Sequence, residues 1–129
     1  ATSAQYADLA EKYTADAEYA PGTVVSFGGD AEVTVTDVDM DRKVAGVVST
    51  DPAHLMNAGL ESANVVDLAL QGRVPCKVTG AVEKGDLMVA AGNGFARAEA
   101  DPKVGTVIGK ALEAHAGGEG VIEVAVGRF

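Results

Sequence analysis

At 129 residues the chain has room for one compact domain or for two very small lobes that share a core, which excludes a large multidomain enzyme. Apolar residues make up 47% and charged residues 22%, a globular composition, while 16 glycines and 4 prolines imply turns and short elements rather than long helical bundles. Nineteen acidic residues against ten basic ones give a net charge of -9, a field that repels nucleic acid and anionic membranes, so neither is expected as a partner.

Tyr6, Leu9, Ala10 and Tyr13 stand at i, i+3, i+4 and i+7. The spacing predicts either a short helix over 6–20 or an extended arm whose tyrosines dock on a neighbouring subunit. Pro21-Gly22 ends that stretch. Thr23–Phe27 is β-branched and apolar, Gly28-Gly29-Asp30 turns the chain, and Glu32–Thr36 alternates so that Val33 and Val35 share a face. The apolar phase slips after Thr36, which predicts a bulge near Asp37. Val44–Val48 is the next strand, closed by Ser49-Thr50-Asp51-Pro52, and a helical turn or irregular loop is expected over 54–59.

Val65–Leu70 and Arg73–Val78 read as two strands on either side of Gln71-Gly72, with Pro75 confined to an edge or bulge. Leu87–Ala91, the turn Gly92-Asn93-Gly94 and Phe95–Ala98 carry the best hairpin signal in the chain. Strands over 104–111 and 121–126, parted by Gly117-Gly118-Glu119-Gly120, complete the expectation. The stretch from Pro21 to Pro52 echoes that from Lys84 to Ala111: a glycine-entered strand, a glycine turn, a return strand and a step into another strand, about sixty residues apart. The fold class is therefore mainly β, two small related lobes built of barrel- or sandwich-like hairpins with at most one N-terminal helix or arm. The domain expectation is an arm or helix over 1–20 and a β domain over 21–129.

Few residues suggest chemistry. Asp37, Asp39 and Asp41 alternate along one segment and are candidate oxygen ligands for a cation, but Arg42 stands where an EF-hand needs its turn glycine and Val48 where it needs its bidentate glutamate. The simpler reading is a solvated acidic edge that resists aggregation. Ser49, Asp51 and His54 are the residue types of a nucleophilic triad packed into six residues, too close in sequence to line up as one. Cys76, the only cysteine, allows no internal disulfide and reads as a buried small apolar group. His54 and His115 lack paired ligands at helical spacing, and the glycine runs at 28–30 and 117–120 lack the lysine and hydroxyl of a phosphate loop. No catalytic residue and no cofactor is expected. No stretch approaches the ~20 apolar residues of a membrane span, so no membrane insertion is expected either.

The stretches Asp8–Tyr13, Pro21–Val25, Phe27–Gly29 and above all Arg42–Ala53, with its run Gly46-Val47-Val48-Ser49-Thr50-Asp51-Pro52-Ala53, resemble a β-rich module of tailed-bacteriophage virion proteins, including cyanophages. The likeness continues through Gly72–Val78, Lys84–Val89 and Val107–Glu113. That module occurs at the C-terminal ends of tail fibres and neck appendages, and Lys84–Val89 also looks like the hairpins of capsid-decoration proteins. The resemblance implies a non-enzymatic virion structural protein acting as a homotrimer, with other virion proteins or a host receptor as partners and the virion as its location. Two other functions stay open beside it: an autoprocessing chaperone module of a phage fibre, and a carbohydrate- or receptor-binding domain.

Overall fold

The computed structural model describes residues 7–127. The strands are β1 (Asp8–Thr14), β2 (Val24–Phe27), β3 (Val33–Val35), β4 (Val44–Val48), β5 (His54–Met56), β6 (Val65–Thr79), β7 (Leu87–Gly92), β8 (Phe95–Ala98), β9 (Val107–Ala111) and β10 (Glu119–Val126). Among the described residues the chain is all β, without a helix. Two five-stranded rings share β6. One runs β6–β10–β9–β7–β8 and returns to β6 through the parallel pair Val78–Ala96. The other runs β6–β4–β2–β3 and closes through the bridge from Val33 to Ala15, just past the end of β1, which itself pairs with β6. Closing each sheet on itself leaves few open edges.

The two rings pair in the same registers at a spacing of 63 residues. Val25 opposite Val35 becomes Met88 opposite Ala98 (25 to 88, 35 to 98), and Val24 opposite Val47 becomes Leu87 opposite Lys110. The bulge between Val25 and Ser26 recurs between Met88 and Val89, and the closing contact Ala15–Val33 recurs as Val78–Ala96. On the last strand of each ring the spacing is 56, so that Tyr13–Val66 becomes Cys76–Ile122 (66 to 122). Only Gly22/Gly85, Gly29/Gly92, Val44/Val107 and Gly46/Gly109 are identical over 8–49 against 71–112. The glycines recur where backbone geometry demands them: Gly22 and Gly85 both hold positive φ, at 89° and 93°. Gly46 and Gly109 face the carbonyls of Ala69 and Ala125 at matching places on β6 and β10.

Ten side chains fill the first ring: Tyr13, Ala15, Tyr19, Val25, Val33, Ala45, Val48, Val66, Leu68 and Leu70. Their counterparts fill the second: Cys76, Val78, Val82, Met88, Ala96, Ile108, Ala111, Ile122, Val124 and Val126. The same cluster contains Val24, Val47 and Ala69 from the first ring and Val74 and Ala90 from the second, which form the seam between the two barrels.

Several sequence expectations are corrected. Residues 8–14 form a strand and not a helix: a stripe of two tyrosines and a leucine anchors a helix poorly, whereas β6 and β5 offer partners on both edges of β1. Tyr6 lies outside the described residues. The backbone of 8–14 is paired within its own chain, from Asp8–Gly72 to Thr14–Val65. The phase slip after Thr36 is the end of a strand: β3 stops at Val35, and residues 36–43 are loop. Residues 54–56 are a short strand, parallel to β1, in place of a helical turn or loop. The two strands expected around Gln71-Gly72 are one, the 15-residue β6, which passes through Gly72 at φ 116°. Pro75 sits where β6 pairs only with β10, so its missing N–H disturbs no ladder on the other edge. β9 begins at Val107, with 104–106 in the preceding turn.

Candidate assembly faces

The three aspartates at 37, 39 and 41 do not converge. Both oxygens of Asp39 are taken by Arg97, with Nε to Oδ1 at 2.7 Å and Nη2 to Oδ2 at 3.0 Å, and Arg97 also donates to Glu99 at 2.9 Å. These bonds hold the Asp39 carboxyl below the usual carboxylate range and raise the guanidinium above its own. Asp41 accepts from Ser26 Oγ at 2.7 Å and from the Lys43 N–H at 2.9 Å, while Asp37 is exposed. Among the described residues no group of three His, Cys, Asp or Glu could hold a metal ion.

Ser49 is buried with its hydroxyl unpartnered, while Asp51 and His54 are exposed and neither bonds to it, so these three residues form no triad. Cys76 points into the second barrel, fully buried, and desolvation pushes its thiol up to about 12. Gly28-Gly29-Asp30 turns β2 into β3, and Gly117-Gly118 turns into β10. A groove of about 150 Å³ between the barrels, lined by Ala45, Gly46, Leu70, Ile108, Val126 and neighbours, is small beside the ~300–1,000 Å³ of ordinary ligand sites.

The contact between the barrels is the most elaborate surface on the molecule. The first barrel offers Gly22, Val24, Val47, Ala69 and the 36–41 loop; the second offers Val74, Lys77, Ala90, Gly94 and Arg97. The Val24 N–H donates to Gly94 O at 2.8 Å, the Gly94 N–H to Thr36 O at 3.1 Å, the Met40 N–H to Ala90 O at 2.8 Å and the Lys77 N–H to Gly22 O at 2.9 Å. The Asp39–Arg97 pair clamps the loop across this seam. These two surfaces are different parts of the repeat, so the contact is heterologous and leaves one copy of each surface unused. On the first barrel the counterparts of Val74 and Ala90 are Glu11 and Phe27, and Phe27 is 46% exposed where Ala90 is buried. On the second barrel the counterparts of Val24, Val47 and Ala69 are Leu87, Lys110 and Ala125, none of them buried. The clamping loop also has its counterpart, 99–104, in which Val104 is 98% exposed.

Phe27 packs edge-on against Tyr13, ring centroids 5.9 Å apart, and burial, with Glu11 and Glu32 nearby, raises the tyrosine's pKa. Tyr13 is singled out by the sequence as a residue that could dock on a neighbour, but its partner Phe27 and the apolar loop tip at Val104 are not. The one signal that could have found them was the 63-residue offset, which shows Phe27 and Val104 standing where the other copy has contact residues.

Comparison with solved structures finds a likeness in fold. The chain is similar to the head fibre gp8.5 N base of bacteriophage phi29, with a TM-score of 0.51 and 14% identity over 89% of this chain and 90% of that one. The two share a fold. No protein-family model and no curated protein matches the chain.

Proposed function

We propose that this chain is a non-enzymatic structural protein of a bacteriophage virion, a fibre or appendage module mounted on the particle, and that it works as a homotrimer. Likeness in fold to a phage head fibre base supports the virion role. The observation that carries the assembly is the unused pair of faces: Phe27, beside Tyr13 and Glu11, on the first barrel and Leu87, Ala125 and the Val104 loop on the second occupy the places that Ala90, Val74, Val24, Ala69 and the 36–41 loop occupy inside the chain. A second copy supplies the matching face, and repeated head-to-tail contacts of this kind close into a ring. Other virion proteins, or a surface of the host cell, are the partners of the assembled ring, and the chain's repeat unit runs from β1 through β4 with its closing strand.

Native mass spectrometry tests the assembly. A particle near three times 13.0 kDa is expected, and a folded monomer at every concentration would sink the reading. Phe27→Glu and Leu87→Glu should each give a folded monomer. Mixed together they should form a dimer and stop there, because each variant keeps the face that the other lacks; two face-to-face copies of one patch would give no such rescue. A wild-type trimer that raises the heat resistance of empty shells would assign it to capsid decoration, and one that binds host cells would assign it to a fibre tip.

A further inference from the structure

Apart from the assembly faces, the described residues hold one place where buried polar atoms lack partners side by side. Asp8 and Ser49 are each only 4% exposed, and neither Asp8 Oδ2 nor Ser49 Oγ completes a hydrogen bond. They lie where three pieces of backbone meet. The Ala53 N–H donates to Asp8 O at 2.9 Å, the Ser49 N–H to Asp67 O at 2.7 Å and the Arg73 N–H to Ala7 O at 3.3 Å, joining β1, the 49–53 loop and β6. The backbones are so close at this point that a Cβ on Gly72 would strike Ala7 O and Asp8 Cα.

The charges around Asp8 have the wrong sign for a carboxylate. From the loop comes Asp51 and from β6 comes Asp67, both of which oppose its ionisation; burial opposes it most, and the neighbouring Ser49 hydroxyl favours it only in part. Arg73 on β6 acts on Glu123, and His54 on β5 stands opposite Leu9. An ionised Asp8 is thus a buried charge without a counter-ion, whereas a neutral Asp8 has an O–H to give and Ser49 Oγ to receive it.

We infer that this seam is a proton-operated latch: with Asp8 as a neutral acid its O–H donates to Ser49 Oγ and locks the 49–53 loop and β1 onto β6, and ionisation of Asp8 loosens them. The direction follows from linkage. A carboxyl whose proton is held more tightly in the closed seam than in the open one adds closing strength below the ordinary carboxylate range and loses it as pH rises through the closed-state value. The latch is independent of the assembly reading, because it lies within one chain.

Hydrogen exchange on the wild-type chain, run between about pH 4 and pH 7.5 and corrected for intrinsic rates, reads the latch directly. Protection of the Ser49, Ala53 and Arg73 amides is expected to rise on acidification relative to the Gly85 amide, which donates to Ala111 O in the second barrel. The gain should be roughly tenfold for each pH unit by which the closed seam outbids an open carboxylate for its proton. Asp8→Asn should hold these amides at one protection across the range. Asp67→Asn should move the midpoint to lower pH, which a merely structural loss would not do. A flat wild-type profile, an Asp8→Asn profile that follows the wild type, or an unmoved midpoint in Asp67→Asn would each overturn the proposal.

Discussion

The two barrels are paired in the same registers and filled in different ways. All ten interior positions of the second are buried, whereas four of the ten in the first, Tyr13, Tyr19, Ala45 and Leu70, are only half buried. Side chains trade size between matching places: Tyr13 against Cys76, Val25 against Met88, Ala45 against Ile108, Val48 against Ala111. A ring of this size needs its volume filled and its close backbone approaches kept free, and many assortments of side chain satisfy it. What the repeat does preserve is glycine at three points of geometry or turn. The difference in burial places the aromatic residues at the end where the chain still has a surface to offer.

The comparison can be broken most sharply at the matched pair Tyr13 and Cys76. A thiol raised to about 12 from its ordinary 9.0 carries about a thousandfold less thiolate near neutral pH, before burial slows access further, so Cys76 should react with a thiol reagent only as fast as the protein unfolds. In the double variant Tyr13→Cys with Cys76→Ala, the half-buried position should label directly in the native state. Equal labelling of the two would mean that the barrels are equally sealed.

The matched glycines give the next largest effect. A Cβ at Gly109 runs into the backbone carbonyl of Ala125, and one at Gly46 meets the Ala69 carbonyl at 3.1 Å. Gly109→Ala should cost about 3 kcal/mol in urea unfolding, and Gly46→Ala somewhat less, about 2 kcal/mol, its share being partly strain at φ 145°. Smallest is the clamp between barrels. Arg97→Met should cost about 1 kcal/mol, shrinking as salt is added, since the Asp39 side chain is 60% exposed. Because Asp39 and Glu99 are held below the ordinary carboxylate range, the clamp's contribution is present above that range and disappears as pH falls through their lowered values. The gap between wild type and Arg97→Met should therefore close in acid.

The hairpins were legible because turn chemistry and alternation agree there: Asn93 and Gly94 take φ 54° and 80° between β7 and β8, as an Asn-Gly pair requires. Tyr6, Leu9, Ala10 and Tyr13 misled because a strand with partners on both edges can carry the same apolar residues as a helix stripe. Gly72 misled because a glycine that ends a strand and one that lets another backbone approach look alike in sequence. The two candidate faces were hidden for a different reason. Arg97 reaches Asp39 across 58 residues, and the exposure of Phe27 has meaning only beside the burial of Ala90.

β6 belongs to both barrels, and its 15 residues extend for about 50 Å without a linker. A load applied across the molecule therefore finds no hinge: it travels along one covalent strand braced by β1 and β4 in its first half and by β10 in its second. Pulling the barrels apart means shearing a whole set of hydrogen bonds together rather than opening a joint.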